Sequence, residues 1–181
     1  MVEVAPIRPM IKKSLELTNA KTAFYLGANT TTEKKNLKRF KELVLQKGLK
    51  LNFKLVDNMK QWLAAYEEVQ QSDLLIIGSY AGISNWNQEH AVRKLRMISR
   101  KLSVTSHEWM MPVSMLGFTK IPEEQGEWAG KTALAILSGT EISRIPVIAN
   151  RKWDLWINPE LLKYAGVSLP ASLKKRAKRI E

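Results

Sequence analysis

SDLLIIGSYAGISNWN, residues 72–87, contains the pattern that decides the fold. Leu74 to Ile77 follow one another without a polar residue, which is typical of a strand buried on both faces of a sheet. The aliphatic run ends at Gly78, and serine, tyrosine, asparagine and tryptophan residues come directly after it. The stretch therefore predicts a central strand whose carboxyl end carries polar and aromatic side chains.

Predicted strands and helices alternate along the chain on both sides of this stretch. The strands are predicted at residues 21–27, 49–56, 73–78, 102–106, 113–119, 144–150 and 152–158. Amphipathic helices are predicted before, between and after them, with a closing basic helix at residues 169–180. Thr30 and Glu33 have the spacing of a capping box, in which the carboxylate reaches back to the backbone of the cap residue. This alternation predicts an α/β fold: a parallel sheet between two layers of helices.

The composition of the 181 residues restricts the possible functions. The chain has no cysteine, which excludes disulfides, thiolate catalysis and cysteine-ligated zinc. Its formal charge of +12 permits nucleic acid or anionic membrane as a partner. Most of that excess is spread over amphipathic helices, and no nucleic-acid recognition signature is present, so we do not predict a nucleic-acid partner.

Ligands of open parallel sheets bind beyond the carboxyl ends of the strands. Three of these ends carry hydroxyl, amide, carboxylate or aromatic side chains. The predicted ligand-binding residues are Asn29, Thr30, Ser79, Tyr80, Ser106, His107, Glu108 and Trp109. Such residues are equally typical of ordinary turns and helix caps, and the spacing alone leaves both interpretations open.

Catalytic and cofactor motifs are not found. GANTTTE, residues 27–33, has one glycine and no Lys-Ser/Thr pair, so it is neither a P-loop nor a dinucleotide fingerprint. His107 and Glu108 lack the further ligands that a metal site needs, and His90 has no partner at ligand spacing. Ser106 and His107 are sequence neighbours, which rarely face each other as nucleophile and base. We therefore predict a protein that is not an enzyme and has no cofactor or metal.

The most distinctive pattern lies in residues 123–177, EEQGEWAGKTALAILSGTEISRIPVIANRKWDLWINPELLKYAGVSLPASLKKRA. Together with FYLGANTTTEKKNLKRF (24–40), DLLIIGSYAGIS (73–84) and PVSMLGFTKIPEEQGEWAGKTAL (112–134), it resembles the second lobe of periplasmic substrate-binding proteins of ABC transporters, in the family of uncharacterised ABC-type transport system periplasmic components. The resemblance covers nearly the whole chain.

The resemblance implies one lobe of a type I periplasmic-binding-protein clamp. It implies a small-molecule ligand such as an amino acid, bound between two lobes, and an ABC transporter permease or a fused membrane sensor as partner. It also implies a periplasmic or extracytoplasmic location. Residues 1–9 would be an interlobe crossover segment, residues 10–142 the ligand-binding lobe, and residues 143–181 a crossover back followed by closing helices that pack on a missing first lobe.

Two alternatives remain open at this point. One is an extracytoplasmic sensor domain with the same fold, and the other is a cytoplasmic α/β protein that binds a nucleotide or sugar phosphate. Trp153 and Trp156 would lie on opposite faces of a strand, so a partner lobe is expected to cover one of the two indoles.

Overall fold

A seven-stranded sheet forms the centre of the protein. The structure, a computed structural model, describes residues 1–2 and 4–180. The strands are β1 (Thr22–Ala28), β2 (Lys50–Val56), β3 (Leu74–Ile77), β4 (Leu102–Thr105), β5 (Leu116–Lys120), β6 (Trp153–Ile157) and β7 (Lys178–Arg179). Their order is β2-β1-β3-β4-β5-β6-β7. Strands β1 to β5 are parallel, β6 runs antiparallel to β5, and β7 is parallel to β6.

Helices cover both faces of this sheet, which confirms the predicted α/β fold. The helices are α1 (Ile7–Thr18), α2 (Thr31–Gln46), α3 (Met59–Glu68), α4 (Gln88–Ile98), α5 (Pro122–Leu137), α6 (Pro159–Ala165) and α7 (Ala171–Arg176). Helix α1 packs against α2, whereas α4 packs against α3 and α6. The four residues of β3 are all buried between these layers, as their uninterrupted aliphatic sequence predicts.

Side-chain caps begin four of the helices. Thr30, Asn58, Asn87 and Asn158 each accept a hydrogen bond from the backbone N–H three residues later. The cap of α4 is Asn87, whereas Asn85 adopts a left-handed conformation with a φ of 56° in the preceding turn. A capping box also predicts that the Glu33 carboxylate bonds back to the Thr30 backbone, and this part of the prediction is wrong. The carboxylate instead accepts hydrogen bonds from Tyr25 in β1 and from the Ser79 N–H.

The closing helices contact the hydrophobic core of this lobe, and the predicted domain boundaries stay a prediction. Leu161, Leu162 and Leu173 of α6 and α7 are buried in the same hydrophobic core as the central strands. The closing helices therefore pack on this lobe, because β6 adds to its sheet and extends the surface on which they lie. Helix α5, in contrast, has no buried residue. Among the residues that the structure describes, α5 and the segment that follows it, residues 138–144, are largely exposed.

Two further predictions of secondary structure are wrong. Residues 144–150 do not form a strand; they run alongside the chain start, where Val2 and Ala149 form an isolated parallel bridge. The N–H of Val2 donates to the Ile148 carbonyl at 2.7 Å, and the N–H of Asn150 donates to the Val2 carbonyl at 3.3 Å. The predicted basic helix at residues 169–180 is shorter than expected, because the chain leaves α7 and forms the short edge strand β7.

No helix within residues 1–2 and 4–180 is both long enough and apolar enough to span a membrane.

Candidate ligand-binding site

Three of the predicted site residues meet at the carboxyl ends of β3 and β4. The Trp109 indole Nε1–H donates to the Ser79 hydroxyl at 3.2 Å. The His107 ring lies against the Trp109 ring, with 4.7 Å between their centroids. We call Ser79, His107 and Trp109 the rim triad. The hydrogen bond between Ser79 and Trp109 joins two loops that are thirty residues apart in sequence.

A buried carboxylate that the sequence analysis assigned only to a helix cap lies directly behind the rim triad. Glu33 in α2 is 1% exposed. Its Oε2 accepts hydrogen bonds from the Tyr25 hydroxyl at 2.6 Å and from the Ser79 backbone N–H at 3.1 Å. Its Oε1 accepts a hydrogen bond from the Asn36 amide at 2.9 Å. Three donors therefore satisfy the carboxylate where water does not reach it.

Glycines at two strand ends make room for this carboxylate. A Cβ atom at Gly78 would lie 1.9 Å from Glu33 Oε2, and one at Gly27 would lie 2.4 Å from the same oxygen. Both distances are far below van der Waals contact, so no side chain fits at either position while Glu33 keeps its place. The glycines that the sequence analysis treated as strand ends are thus part of the site's architecture.

The electrostatics of the site centre on Glu33 and its two titratable neighbours. Burial raises the pKa of the Tyr25 hydroxyl well above its usual value, and the charge of Glu33 adds to this effect. Burial lowers the pKa of His107, and the nearby Glu33 carboxylate partly opposes that shift. His107 Nε2 lies 3.9 Å from Glu33 Oε1, and the buried Nδ1 has no hydrogen-bond partner in the structure. A neutral His107 is therefore favoured near neutral pH.

A cleft of about 730 Å³ opens beside the rim triad. Trp109 and Trp156 contribute aromatic surface to its lining, and Ser106 and Thr119 contribute hydroxyl groups. The Trp156 indole donates to the Thr119 hydroxyl at 2.9 Å, which fixes the orientation of that ring. Glu108 and Lys120 also line the cleft and bring charges of opposite sign to it. Burial lowers the pKa of the Lys120 ammonium.

The remaining predicted site residues are held by neighbouring protein groups. The Asn29 amide donates to the Asp57 carboxylate at 3.0 Å, and the Thr30 hydroxyl caps α2. The Tyr80 ring is stacked on Trp86, with 5.0 Å between centroids and 9° between planes. Ser106, Glu108 and Trp109 line the cleft. The other five predicted residues are not among its lining residues: Asn29, Thr30, Ser79, Tyr80 and His107.

The cleft also contains residues that the sequence analysis missed. Trp156, Thr119 and Lys120 enter it because β6 pairs antiparallel with β5, which places the two strands side by side at the cleft. Strand alternation predicts that one of Trp153 and Trp156 lies on a more accessible face, and in the structure that residue is Trp153, which is 38% exposed. Trp156 is half-buried and reaches the cleft because β6 pairs with β5.

A second cavity of about 410 Å³ lies apart from these residues. Its lining comes from residues 4–9 at the start of α1, the second half of α2 and residues 149–153. It includes none of the predicted site residues. Among the described residues, no group of three His, Asp or Glu side chains is arranged to hold a metal ion.

Comparison with known proteins found similarity in structure alone. No protein-family model matches the sequence, and the search of curated proteins gave no match either. A ligand-free, open substrate-binding protein with adhesive properties from Clostridium difficile has a TM-score of 0.74 at 18% identity, over 94% of this chain and 59% of its own. An ABC domain in complex with L-Trp from Streptococcus pneumonia has a TM-score of 0.71 at 19% identity, over 98% of this chain and 61% of its own.

Two other solved structures extend this picture. A conserved domain protein from Vibrio cholerae has a TM-score of 0.72 at 15% identity, over 98% of this chain and 60% of its own. A LacI family transcriptional regulator from Bifidobacterium animalis has a TM-score of 0.57 at 11% identity, over 85% of this chain and 60% of its own. The chain thus spans about three fifths of the length of each neighbour. It has the α/β fold of type I periplasmic-binding-protein-like domains.

Proposed function

We propose that this chain is the second lobe of a solute-binding protein that serves an ABC-type importer and holds a small molecule, such as an amino acid, between two lobes. The observation that carries the proposal is the cleft at the carboxyl ends of β4 and β5, where Trp109 and Trp156 stand near Glu108 and Lys120. Ligands of open α/β sheets bind at this edge. The substrate-binding neighbours support a small-molecule ligand at the level of the fold.

The lining of the cleft matches the chemistry of a free amino acid. Such a ligand carries an ammonium and a carboxylate a few ångströms apart, and Glu108 and Lys120 carry the complementary charges. The two indoles offer flat apolar surface to a side chain, and aromatic rings bind other rings and aliphatic groups by such contacts. An apolar or aromatic amino acid fits this combination better than an acidic one does.

Helix α5 supports the two-lobe part of the proposal. Leu134 and Leu137 are 66% and 83% exposed, and Ile142 and Val147 are exposed farther along the same segment. A row of apolar side chains on an otherwise uncovered helix marks an interaction surface. In this proposal a first lobe covers that surface, and residues 1–9 and 143–152 connect the two lobes.

The alternative of a nucleotide-binding or sugar-phosphate-binding protein is less well supported, because the loop before α2, residues 27–33, lacks a phosphate-binding motif. The start of α2 is occupied by the Thr30 cap and by the buried, negatively charged Glu33, which would repel a phosphate. A ligand-sensing role in a signalling protein would use the same cleft, and the identity of the membrane partner would distinguish it from transport.

The direct test is a binding screen with the twenty L-amino acids and ATP on the chain labelled with ¹⁵N in its tryptophan indoles. We expect one or more amino acids to shift the Trp109 and Trp156 indole resonances and to leave the buried Trp62 unchanged. Trp109→Ala should remove the response of Trp156, whereas Trp128→Ala in α5 should leave it intact. The proposal would be contradicted if no amino acid shifted these resonances, or if ATP were the one compound that did.

A further inference from the structure

The side chain of Glu33 makes several contacts around the candidate site, although the cap of α2 uses only its backbone N–H. Its carboxylate receives the Tyr25 hydroxyl from β1, the Ser79 N–H from the loop after β3 and the Asn36 amide from its own helix. Its other contact of interest is His107, whose Nε2 is 3.9 Å from Oε1. One buried side chain thus connects the middle of β1 and the loop after β3 with the loop after β4.

The connection continues from these loops to the surface of the cleft. Ser79, whose backbone Glu33 holds, accepts the indole hydrogen bond of Trp109 through its hydroxyl. His107, whose ring lies beside Glu33, also lies against the Trp109 ring. Trp109 is half exposed and lines the cleft. Both of the contacts that orient Trp109 therefore depend on a residue that Glu33 contacts.

We propose that Glu33 is the positioning residue of the binding site: it fixes Ser79 and His107 from behind, and through them it couples the orientation of the Trp109 indole in the cleft to the protonation of His107. This inference rests on the proposed function, because the cleft is taken as the place where the ligand binds. Glu33 itself is too deeply buried to contact a ligand.

The surroundings of His107 determine how such a coupling works. Among the residues that the structure describes, its one ion-pair partner is Glu33 from α2; Tyr25 from β1 adjoins the same carboxylate, and Glu108 on its own loop is exposed. In the neutral state the ring packs on Trp109 and is too far from Glu33 for a good hydrogen bond. A protonated ring is attracted more strongly to the carboxylate, and a shift of the ring toward Glu33 changes its packing against Trp109.

The space left by Gly27 and Gly78 indicates that the position of the Glu33 carboxylate is specific. Gly27 and Gly78 leave space that the carboxylate fills, and any larger residue at either position would displace it. A residue that only capped α2 would need neither glycine, since the cap itself uses the Glu33 backbone N–H and the Thr30 hydroxyl.

The test follows two signals in the 181-residue chain between pH 5 and 8: the His107 ring and the ¹⁵N-labelled Trp109 indole, assigned with Trp109→Phe. In the unaltered protein we expect both signals to move with one common midpoint. Glu33→Gln retains an acceptor for Ser79 but removes the charge, so the midpoint should shift to lower pH. His107→Phe retains a ring beside Trp109 but cannot titrate, so the Trp109 signal should lose its pH dependence.

The control is His90→Gln, which changes the other histidine, on α4, and should leave the Trp109 titration unchanged. A midpoint that Glu33→Gln does not move would assign Glu33 a purely structural role and would overturn the proposal. Persistence of the Trp109 pH dependence in His107→Phe would overturn it as well. Both readouts are made without ligand, so their failure is distinguishable from the failure of any amino acid to bind.

Discussion

Glu33 stabilises the start of α2 through its backbone N–H and holds β1 and the loop after β3 through its carboxylate. The spacing of Thr30 and Glu33 predicts the backbone cap of α2 correctly, and Glu33 N does donate to the Thr30 hydroxyl. The direction of the carboxylate depends on the distant glycines at the ends of β1 and β3 and on the Tyr25 hydroxyl. The sequence therefore predicts Ser79, His107 and Trp109 as rim residues, but not the buried charge that joins them. The assignment of the eight predicted residues to a ligand stays a prediction.

Gly78→Ala tests the space that the structure assigns to Glu33. The new methyl group would lie 1.9 Å from the carboxylate and 2.7 Å from the Tyr25 hydroxyl. We expect the free energy of unfolding to fall by about 1–3 kcal/mol, as for other overpacked positions. The measurement is urea unfolding followed by circular dichroism.

The matched control for this change is Gly126→Ala. Gly126 lies in α5, where a methyl group would meet no atom within 4 Å. Alanine is the better helix former, so this substitution should stabilise the protein by up to about 1 kcal/mol. A loss of stability at Gly126, or none at Gly78, would contradict the packing described for the two positions.

The lowered pKa of His107 makes the free energy of unfolding depend on pH. Because burial lowers its pKa in the folded protein below the ordinary value of 6.5, the unfolded chain binds a proton first as the pH falls. The contribution of His107 to stability is therefore complete above pH 6.5, declines below it, and stops declining once the folded form is also protonated. We expect His107→Phe to flatten the plot of unfolding free energy against pH between 6.5 and 5, as measured by urea unfolding at several pH values. An unchanged slope would show that another group is responsible.

Among the elements, those with a strong local pattern were predicted correctly. The five parallel strands, the helices between them and the cap of α6 at Asn158 all follow from hydrophobic periodicity and from polar residues at helix starts. The errors concern segments whose structure depends on distant neighbours. Residues 144–150 have the β-branched composition of a strand, but within the described part of the chain they form a single bridge, between Ala149 and Val2. Strand β7 forms because β6 offers it an edge.

Helices α5 and α6 should respond differently to substitution. Leu134 and Leu137 on α5 are exposed, so changing each to Gln should alter the unfolding free energy of the chain by no more than about 0.5 kcal/mol. Leu161 on α6 is 3% exposed, and Leu161→Ala should cost about 2–5 kcal/mol. Urea unfolding of the three variants measures both expectations. A larger loss of unfolding free energy in the α5 variants than in Leu161→Ala would mean that α6 lies outside this lobe's core.

The molecule as a whole offers one side of the proposed binding site. The open cleft would leave much of a bound amino acid in contact with water, and affinity depends on desolvation from both sides as well as on contacts. The +12 charge is distributed over the helices and does not by itself identify a partner.

We accordingly expect weak affinity from the chain alone. Isothermal titration with the amino acid that gives the largest indole shifts should yield a dissociation constant above about 0.1 mM, and the same ligand should bind much more tightly when a first lobe is joined to the chain. A nanomolar dissociation constant for the single lobe would contradict the requirement for a second one.

The short bridge between Val2 and Ala149 has a mechanical consequence. The segment before α1 and the segment after α5 are hydrogen-bonded to each other, and the Asn150 side chain accepts a further bond from the Val4 N–H at 2.6 Å. Moving either segment without the other would break these hydrogen bonds. A body attached through both segments would therefore have fewer orientations open to it than one attached through two independent linkers.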